Sequence, residues 1–188
     1  PEGAIITTAH VISTQPPEGQ TPGTSGLRKK TRVLMQPGYL ENYVQAIFDG
    51  IGGIRGKSLV VGGDGRYFND AAIGTILRMA AANGAEECIV GQGGILSTPA
   101  ASNLIRVRGA DGGLILSASH NPGGLHEDFG LKYNGPNGGP ASESVTEKIY
   151  ARTLEIDRYL ILETGEVNLG GIGTILLGGM RVEIVDPV

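Results

Sequence analysis

The chain has 188 residues, a formal net charge of −4, 32 glycines and one cysteine, Cys88. This length suits one domain, and the acidic balance argues against nucleic acid as a partner, because nucleic-acid-binding domains usually carry a basic excess. A lone cysteine forms no internal disulfide, which favours a reducing cytoplasmic compartment. No apolar run approaches the roughly 20 residues that cross a bilayer, so a membrane partner is not expected.

Taken in chain order, the pattern begins with a polar, proline-bearing arm over residues 1–20 that holds one short strand at 4–7. Apolar residues at helical spacing then predict an amphipathic helix over 41–51. Strands and helices alternate after it, separated by glycines and begun by capping residues, among which Thr98 and Ser142 are predicted. The further strands are predicted at 31–35, 58–62, 87–91, 112–116, 129–133, 159–162 and 181–185, and the further helices at 69–83, 98–108 and 142–157.

This alternation predicts an α/β fold with a mixed, mostly parallel sheet and helices on both faces, in three layers (α/β/α). The loops that follow parallel strands lie at one edge of the sheet, where ligands bind. Asp64, Thr98 and Ser119 are therefore expected to line one crevice. In the glycine loop after residue 62, Asp64 and Arg66 either pair with each other or support the loop. The glycine-rich stretch 169–179 has no functional interpretation.

The sequence Ser-Ala-Ser-His-Asn-Pro-Gly-Gly at 117–124 directly follows the apolar strand 112–116. Hydroxyls and an imidazole thus enter a tight turn at the end of a strand. Pro122 fixes its own φ, and the two glycines let the backbone turn sharply or approach a ligand closely. The alternative interpretation of these residues is a serine-rich turn without chemistry.

A second polar stretch, Thr-Pro-Gly-Thr-Ser-Gly-Leu-Arg-Lys-Lys, occupies residues 21–30. Its hydroxyls, glycines and cations suit a phosphate cradle, in which arginine grips phosphate bidentately. A solvated basic turn would have the same composition.

The Ser-Ala-Ser-His-Asn-Pro run resembles the phosphoserine loop of the α-D-phosphohexomutase family. Its continuation through Asp-Phe-Gly-Leu-Lys-Tyr-Asn at 128–134, together with Pro-Gly-Thr-Ser-Gly-Leu-Arg-Lys at 22–29, is similar to the phosphoglucomutase branch. The resemblance covers about residues 14–188 and corresponds to the first domain of the family. It implies an arm over 1–20 and domain I over 21–188, with the later domains as partners.

The resemblance implies an isomerase of carbohydrate metabolism that interconverts glucose 1-phosphate and glucose 6-phosphate through a glucose 1,6-bisphosphate intermediate. Ser119 would carry the phosphoryl group, and its phosphate would ligate Mg²⁺. Lys132 would be the general acid/base, with His120 supporting the same step. The residues implied to bind the hexose phosphate are Arg28, Thr24, Ser25 and Asn121.

Three further motifs of the family, its metal-binding aspartates, sugar-recognition loop and final phosphate loop, do not occur in this sequence. We therefore expect the chain to be incomplete as an enzyme on its own. A non-catalytic phosphoprotein or interaction module remains the alternative, and the choice between glucose and mannose as the sugar stays open. A Ser-His hydrolase is disfavoured, because there is no Gly-x-Ser-x-Gly elbow and adjacent Ser119 and His120 form no triad.

Overall fold

A computed structural model of the chain describes residues 8–23 and 26–188. The predicted strand at 4–7 lies outside these residues. The elements, in chain order, are β1 (Thr8–Ser13), β2 (Leu27–Lys30), α1 (Thr31–Leu34), α2 (Tyr39–Gly50), β3 (Ser58–Gly63), α3 (Asn69–Ala82), β4 (Glu87–Ile95), α4 (Thr98–Arg108), β5 (Gly112–Leu116), β6 (Asp128–Asn134), α5 (Glu143–Thr153), β7 (Arg158–Glu163), β8 (Gly173–Leu177) and β9 (Met180–Val185).

The main sheet has seven strands in the order β2-β6-β5-β3-β4-β9-β8. The four strands β5, β3, β4 and β9 pair in parallel, whereas β6 is antiparallel to both β5 and β2, and β8 is antiparallel to β9. Strand β2 therefore runs in the same direction as β5, so five of the seven strands share one direction. The predicted mixed, mostly parallel sheet is confirmed.

Helices cover both faces of this sheet, which confirms the three-layer α/β/α arrangement. Helices α2, α3 and α5 contribute to a large apolar cluster on one face, whereas α4 packs on the other face through Ala101 and Ile105. Strands β1 and β7 form a separate antiparallel pair, and β7 packs against α2 and α3. No helix within the described ranges is both long and apolar enough to cross a membrane.

Two local predictions were wrong. The segment at 31–35 forms one helical turn rather than a strand, because the first backbone N–H groups find partners in another loop: Thr31 N donates to Glu127 O (2.8 Å) and Arg32 N to Leu125 O (3.1 Å). The cap of α4 is Ser97, not Thr98. Ser97 is extended and its hydroxyl accepts from Ala100 N at 3.2 Å.

The glycine-rich stretch 169–179 has a structural role. It contains edge strand β8 and the turn that returns the chain into β9. Its start is held to the irregular end of β4, since Gly93 N donates to Leu169 O at 2.8 Å and Gln92 Nε2 to Gly170 O at 2.8 Å.

Candidate active site

The site lies at the edge of the sheet where β3 and β5 end. These strands are parallel neighbours, and Asp64 N donates to Leu116 O (3.0 Å), which joins the loop after β3 to the last residue of β5. Arg66 pairs with Asp64 (2.7 Å) and donates to the carbonyl oxygen of Ser119 (3.3 Å). Asp64 and Ser119 thus meet at one edge as expected, and Thr98, the first residue of α4, follows β4, the parallel neighbour of β3.

Ser119 is exposed and has a φ of 55°, in the left-handed region that non-glycine residues rarely adopt. Its backbone N–H donates to the hydroxyl of Ser117 at 3.0 Å. Ser117 is the first residue beyond β5, which ends at Leu116. The local bond turns the chain so that the Ser119 side chain stands at the surface of the loop.

Gly130 on β6 lets the chain after β5 pass close to the sheet. A Cβ atom at this position would lie 2.1 Å from the carbonyl oxygen of Ser117, while Ser117 N donates to Gly130 O at 3.0 Å. Arg28 is the cross-strand partner of Gly130, and Lys132 is two residues along the same strand. Cross-strand partners and alternate residues share a face. Arg28 and Lys132 therefore lie on the face of the sheet over which Ser117 crosses.

Lys132 is half-buried, and this burial lowers the pKa of its amine below the usual value of 10.5. Gly26 packs against it, because a Cβ on Gly26 would lie 2.6 Å from the Cβ of Lys132. Gly26 (φ 84°) and Gly23 exchange backbone hydrogen bonds of 2.9 and 3.1 Å, which brings the polar stretch before β2 next to Lys132. Thr24 and Ser25 lie outside the described residues, so their predicted roles are not tested.

The other predicted residues are accessible. Arg28 is exposed and forms no ion pair with another described residue, and His120 is exposed. Asn121 is exposed too, but its amide nitrogen donates to Asp128 Oδ2 at 2.6 Å. Asn121 was predicted to bind phosphate, and its hydrogen bond to Asp128 within the loop was not predicted.

Asp128 is the residue that sequence reasoning missed. Its carboxylate accepts hydrogen bonds from Lys30 Nζ (2.9 Å) and from Asn121. These bonds hold the pKa of Asp128 below its usual value, and the bond from Lys30 contributes more than the bond from Asn121. The available signal was its place at the far end of the glycine-rich loop. Asp128 closes the loop and ties it to β2.

The described residues do not provide a complete set of protein ligands for Mg²⁺. Among residues 8–23 and 26–188 no group of three or more His, Cys, Asp or Glu side chains converges. Two nearby carboxylates, Asp64 and Asp128, are engaged by Arg66 and Lys30. Because Mg²⁺ prefers six oxygen ligands, a phosphate on Ser119 would supply only part of its coordination.

Comparison with protein families gives a match for residues 19–160 to the description "Phosphoglucomutase/phosphomannomutase, alpha/beta/alpha domain I". The chain belongs to the phosphoglucomutase/phosphomannomutase family. The resemblance inferred from the serine and arginine motifs is thereby confirmed, and the chain corresponds to domain I.

Individual relatives agree with this assignment. The phosphoglucomutase of Rhizobium radiobacter is 54% identical over 94% of this chain and 33% of its own length. The cytoplasmic phosphoglucomutase of Mesembryanthemum crystallinum is 54% identical over 93% of this chain and 32% of its own length. The open form of parafusin, an exocytosis-sensitive phosphoprotein and phosphoglucomutase from Paramecium, superposes with a TM-score of 0.92 at 44% identity, over 99% of this chain and 36% of that one. The chain thus spans about a third of the length of these relatives.

Proposed function

We propose that this chain is the catalytic-serine domain of a phosphoglucomutase, which interconverts glucose 1-phosphate and glucose 6-phosphate through a phosphoserine and glucose 1,6-bisphosphate. One observation carries the proposal: Ser119 is exposed in a fixed turn beside a sheet face that bears Arg28 and Lys132. Phosphoryl transfer needs mainly positioning and positive charge, and these residues supply both.

In the proposed step, the bond between phosphorus and Ser119 Oγ breaks while a hydroxyl oxygen of the hexose phosphate bonds to the phosphorus. The hydroxyl proton passes to the neutral amine of Lys132, and the ammonium group formed in this way returns a proton to Ser119 Oγ. Burial of Lys132 favours the neutral amine, which suits it for taking a proton. Return of the other phosphoryl group to Ser119 completes the interconversion. Arg28 grips a phosphate, while His120, Thr24, Ser25 and Asn121 complete the surroundings.

We propose Mg²⁺ as the metal, with glucose 1,6-bisphosphate as activator and intermediate. Because the described residues do not provide the coordination, its remaining ligands would come from other domains of a full-length mutase, which are the proposed partners together with the hexose phosphate. A cytoplasmic location is proposed from the single cysteine, and one similar relative is named cytoplasmic. The proposed division is an arm over 1–20 and domain I over 21–188; the family match over residues 19–160 supports the start of the domain but not its end.

The test is a chimera in which this chain replaces the matching third of the Rhizobium radiobacter phosphoglucomutase. Incubation with glucose 1,6-bisphosphate and Mg²⁺, followed by phosphopeptide mapping, should find phosphate on Ser119. Turnover of glucose 1-phosphate should accompany it, and Ser119→Ala should abolish both. Ser117→Ala is the matched control and should retain phosphate on Ser119.

Turnover that survives Ser119→Ala would contradict the proposal. A folded chimera with neither turnover nor phosphate on Ser119 would favour the alternative, a non-catalytic interaction module. In that case the accessible Arg28 and the half-buried Lys132 would lie beside a serine that carries no phosphoryl group.

A further inference from the structure

The side chain of Arg66 binds the backbone of the Ser119 loop at three places. Its Nη2 donates to Ser119 O (3.3 Å), and its Nη1 donates to Asn121 O (3.2 Å) and Asp128 O (2.9 Å). The side chain is only 8% exposed, although it carries a charge. Charged side chains are rarely so buried without a dedicated set of partners.

Asp64 fixes the guanidinium from the other side. Arg66 Nε donates to both carboxylate oxygens at 3.0 Å, and Nη2 donates to Oδ2 at 2.7 Å. Burial alone would raise the pKa of Asp64, but the bonds from Arg66 outweigh it and hold that pKa below its usual value. Asp64 is in turn anchored to the end of β5 through Leu116 O. The carboxylate also neutralises Arg66, so the pair holds carbonyl groups without competing for a phosphate.

These bonds act on the least favourable backbone conformation of the loop. A serine in the left-handed region is energetically unfavourable and persists only where its surroundings fix it. Ser117 holds the N–H of Ser119 from one side, and Arg66 holds its carbonyl from the other. Gly123 leaves the room that the clamp needs, because a Cβ there would lie 3.0 Å from Arg66 Cβ.

We propose that Arg66, oriented by Asp64, is a positioning residue for phosphoryl transfer: it fixes the backbone of residues 119–128 and thereby the direction of the Ser119 hydroxyl. This inference rests on the proposed function of Ser119. Only arginine fits the role, since a planar fork with five donors can reach a carboxylate and three carbonyl oxygens at once. Lysine would keep the ion pair with Asp64 and lose the span.

The first measurement is hydrogen–deuterium exchange on the 188-residue chain, comparing the unchanged protein with Arg66→Lys and Asp64→Asn. Peptides that cover residues 117–128 should exchange about tenfold faster or more in both variants, while peptides from β3 and β4 keep their protection. Arg152→Lys is the matched control. Arg152 lies on α5 and pairs with Asp49 of α2 at 2.8 Å, away from the loop. It should leave peptides 117–128 unchanged.

The second measurement is turnover in the chimera described above. Arg66→Lys should lower kcat by up to about 100-fold with KM changed by less than about threefold, because a misdirected hydroxyl affects the transition state more than substrate binding. Arg152→Lys should leave both constants unchanged.

Unchanged exchange in the loop, or a rise spread over the whole chain, would overturn the clamp. A raised KM with an unchanged kcat would overturn the positioning role. Failure of the proposed function is distinguishable from both, because the unchanged chimera would then gain no phosphate on Ser119 while the exchange of the loop still responded to Arg66→Lys.

Discussion

The amine of Lys132 combines two properties that a proton-transfer residue needs. It lies on the face of the sheet crossed by the Ser119 loop, and burial lowers its pKa toward the range in which it can exchange a proton. Lys30, on the same face and two residues from Arg28, is instead committed to Asp128 at 2.9 Å, which raises the pKa of its amine. The two lysines thus differ in their surroundings: Lys132 is the residue proposed for proton transfer, whereas Lys30 ties β2 to the loop through Asp128.

Replacement of Lys132 by methionine in the chimera should lower kcat by about 10²-fold or more, with a small effect on KM, because general acid–base catalysis contributes on that scale. The pH profile of the unchanged chimera should have a limb whose midpoint lies below 10.5 and which rises as the amine loses its proton. Lys132→Met should remove that limb. Steady-state assays across pH provide the measurement.

The control for this prediction is Lys148→Met, since Lys148 is exposed on α5 and forms no ion pair with another described residue. A chimera that kept its kcat and its pH limb with methionine at position 132 would remove Lys132 from the chemistry.

The backbone of Ser119 offers a prediction that does not depend on activity. Ser119→Gly and Ser119→Ala both lose the hydroxyl, but glycine adopts a φ of 55° freely whereas alanine does not. After allowing for the greater freedom of glycine in the unfolded chain, the glycine variant should be more stable by about 0.5 kcal/mol. Urea unfolding of the two variants measures the difference, and a more stable alanine variant would argue against the left-handed turn.

At the scale of elements, the close approach of the chain after β5 to β6 decides where the loop lies. Gly130→Ala would place a Cβ 2.1 Å from the Ser117 carbonyl oxygen, a backbone atom that cannot move alone. We expect a loss of about 2 kcal/mol in the free energy of unfolding, as for other overpacked positions. Urea denaturation monitored by circular dichroism is the measurement.

Gly74→Ala is the matched control within α3, where an added Cβ meets nothing within 4 Å. Alanine is favoured over glycine inside a helix, so this variant should gain up to about 1 kcal/mol. Equal effects of the two substitutions would show that the crowding at Gly130 is not the cause.

The sequence predicts the central elements well, because apolar segments and helical spacing are local signals. Strands β3 and β5 and helix α4 lie where the pattern puts them. The antiparallel register that sets Arg28 against Gly130 is not a local signal, since it joins residues about a hundred positions apart. One turn of helix at α1 was likewise unpredictable, because its first N–H groups are satisfied by a loop far along the chain.

The candidate site was predictable only in part for the same reason. Ser119, Lys132 and Arg28 were found through motifs, and the structure brings them to one region of the sheet. For Arg66 the sequence predicted only a pair with Asp64 or a support of its own glycine loop. Its three bonds to the Ser119 loop depend on tertiary placement, which no spacing in the sequence encodes.

For the whole molecule, Cys88 gives a test of the packed core. The thiol is fully buried, and this burial, with a smaller contribution from the charge of Glu87, raises its pKa to about 12. Because the thiolate is the reactive form, iodoacetamide at pH 8 should label Cys88 only when the core opens. The labelled fraction should therefore follow the urea unfolding curve, and fast labelling without urea would contradict the buried position on β4.

The 188-residue chain by itself should have at most a trace of mutase activity. It contains Ser119, the proposed carrier of the phosphoryl group, and the basic residues around it, but the described residues provide no cluster that could complete the coordination of Mg²⁺. It also spans only about a third of the phosphoglucomutases that it resembles, so groups that hold the far end of a hexose phosphate would be missing. Lost positioning of this kind is worth several kcal/mol, or a factor of 10³ or more in rate.

Conversion of glucose 1-phosphate should be assayed with Mg²⁺ and glucose 1,6-bisphosphate, first with the chain alone and then with the separately expressed remaining two thirds of the Rhizobium radiobacter enzyme. Turnover by the chain alone near that of the full-length enzyme would mean that metal and sugar sites are built from residues placed here in loops, whereas activity that appears only on addition of the remainder would locate them in the later domains.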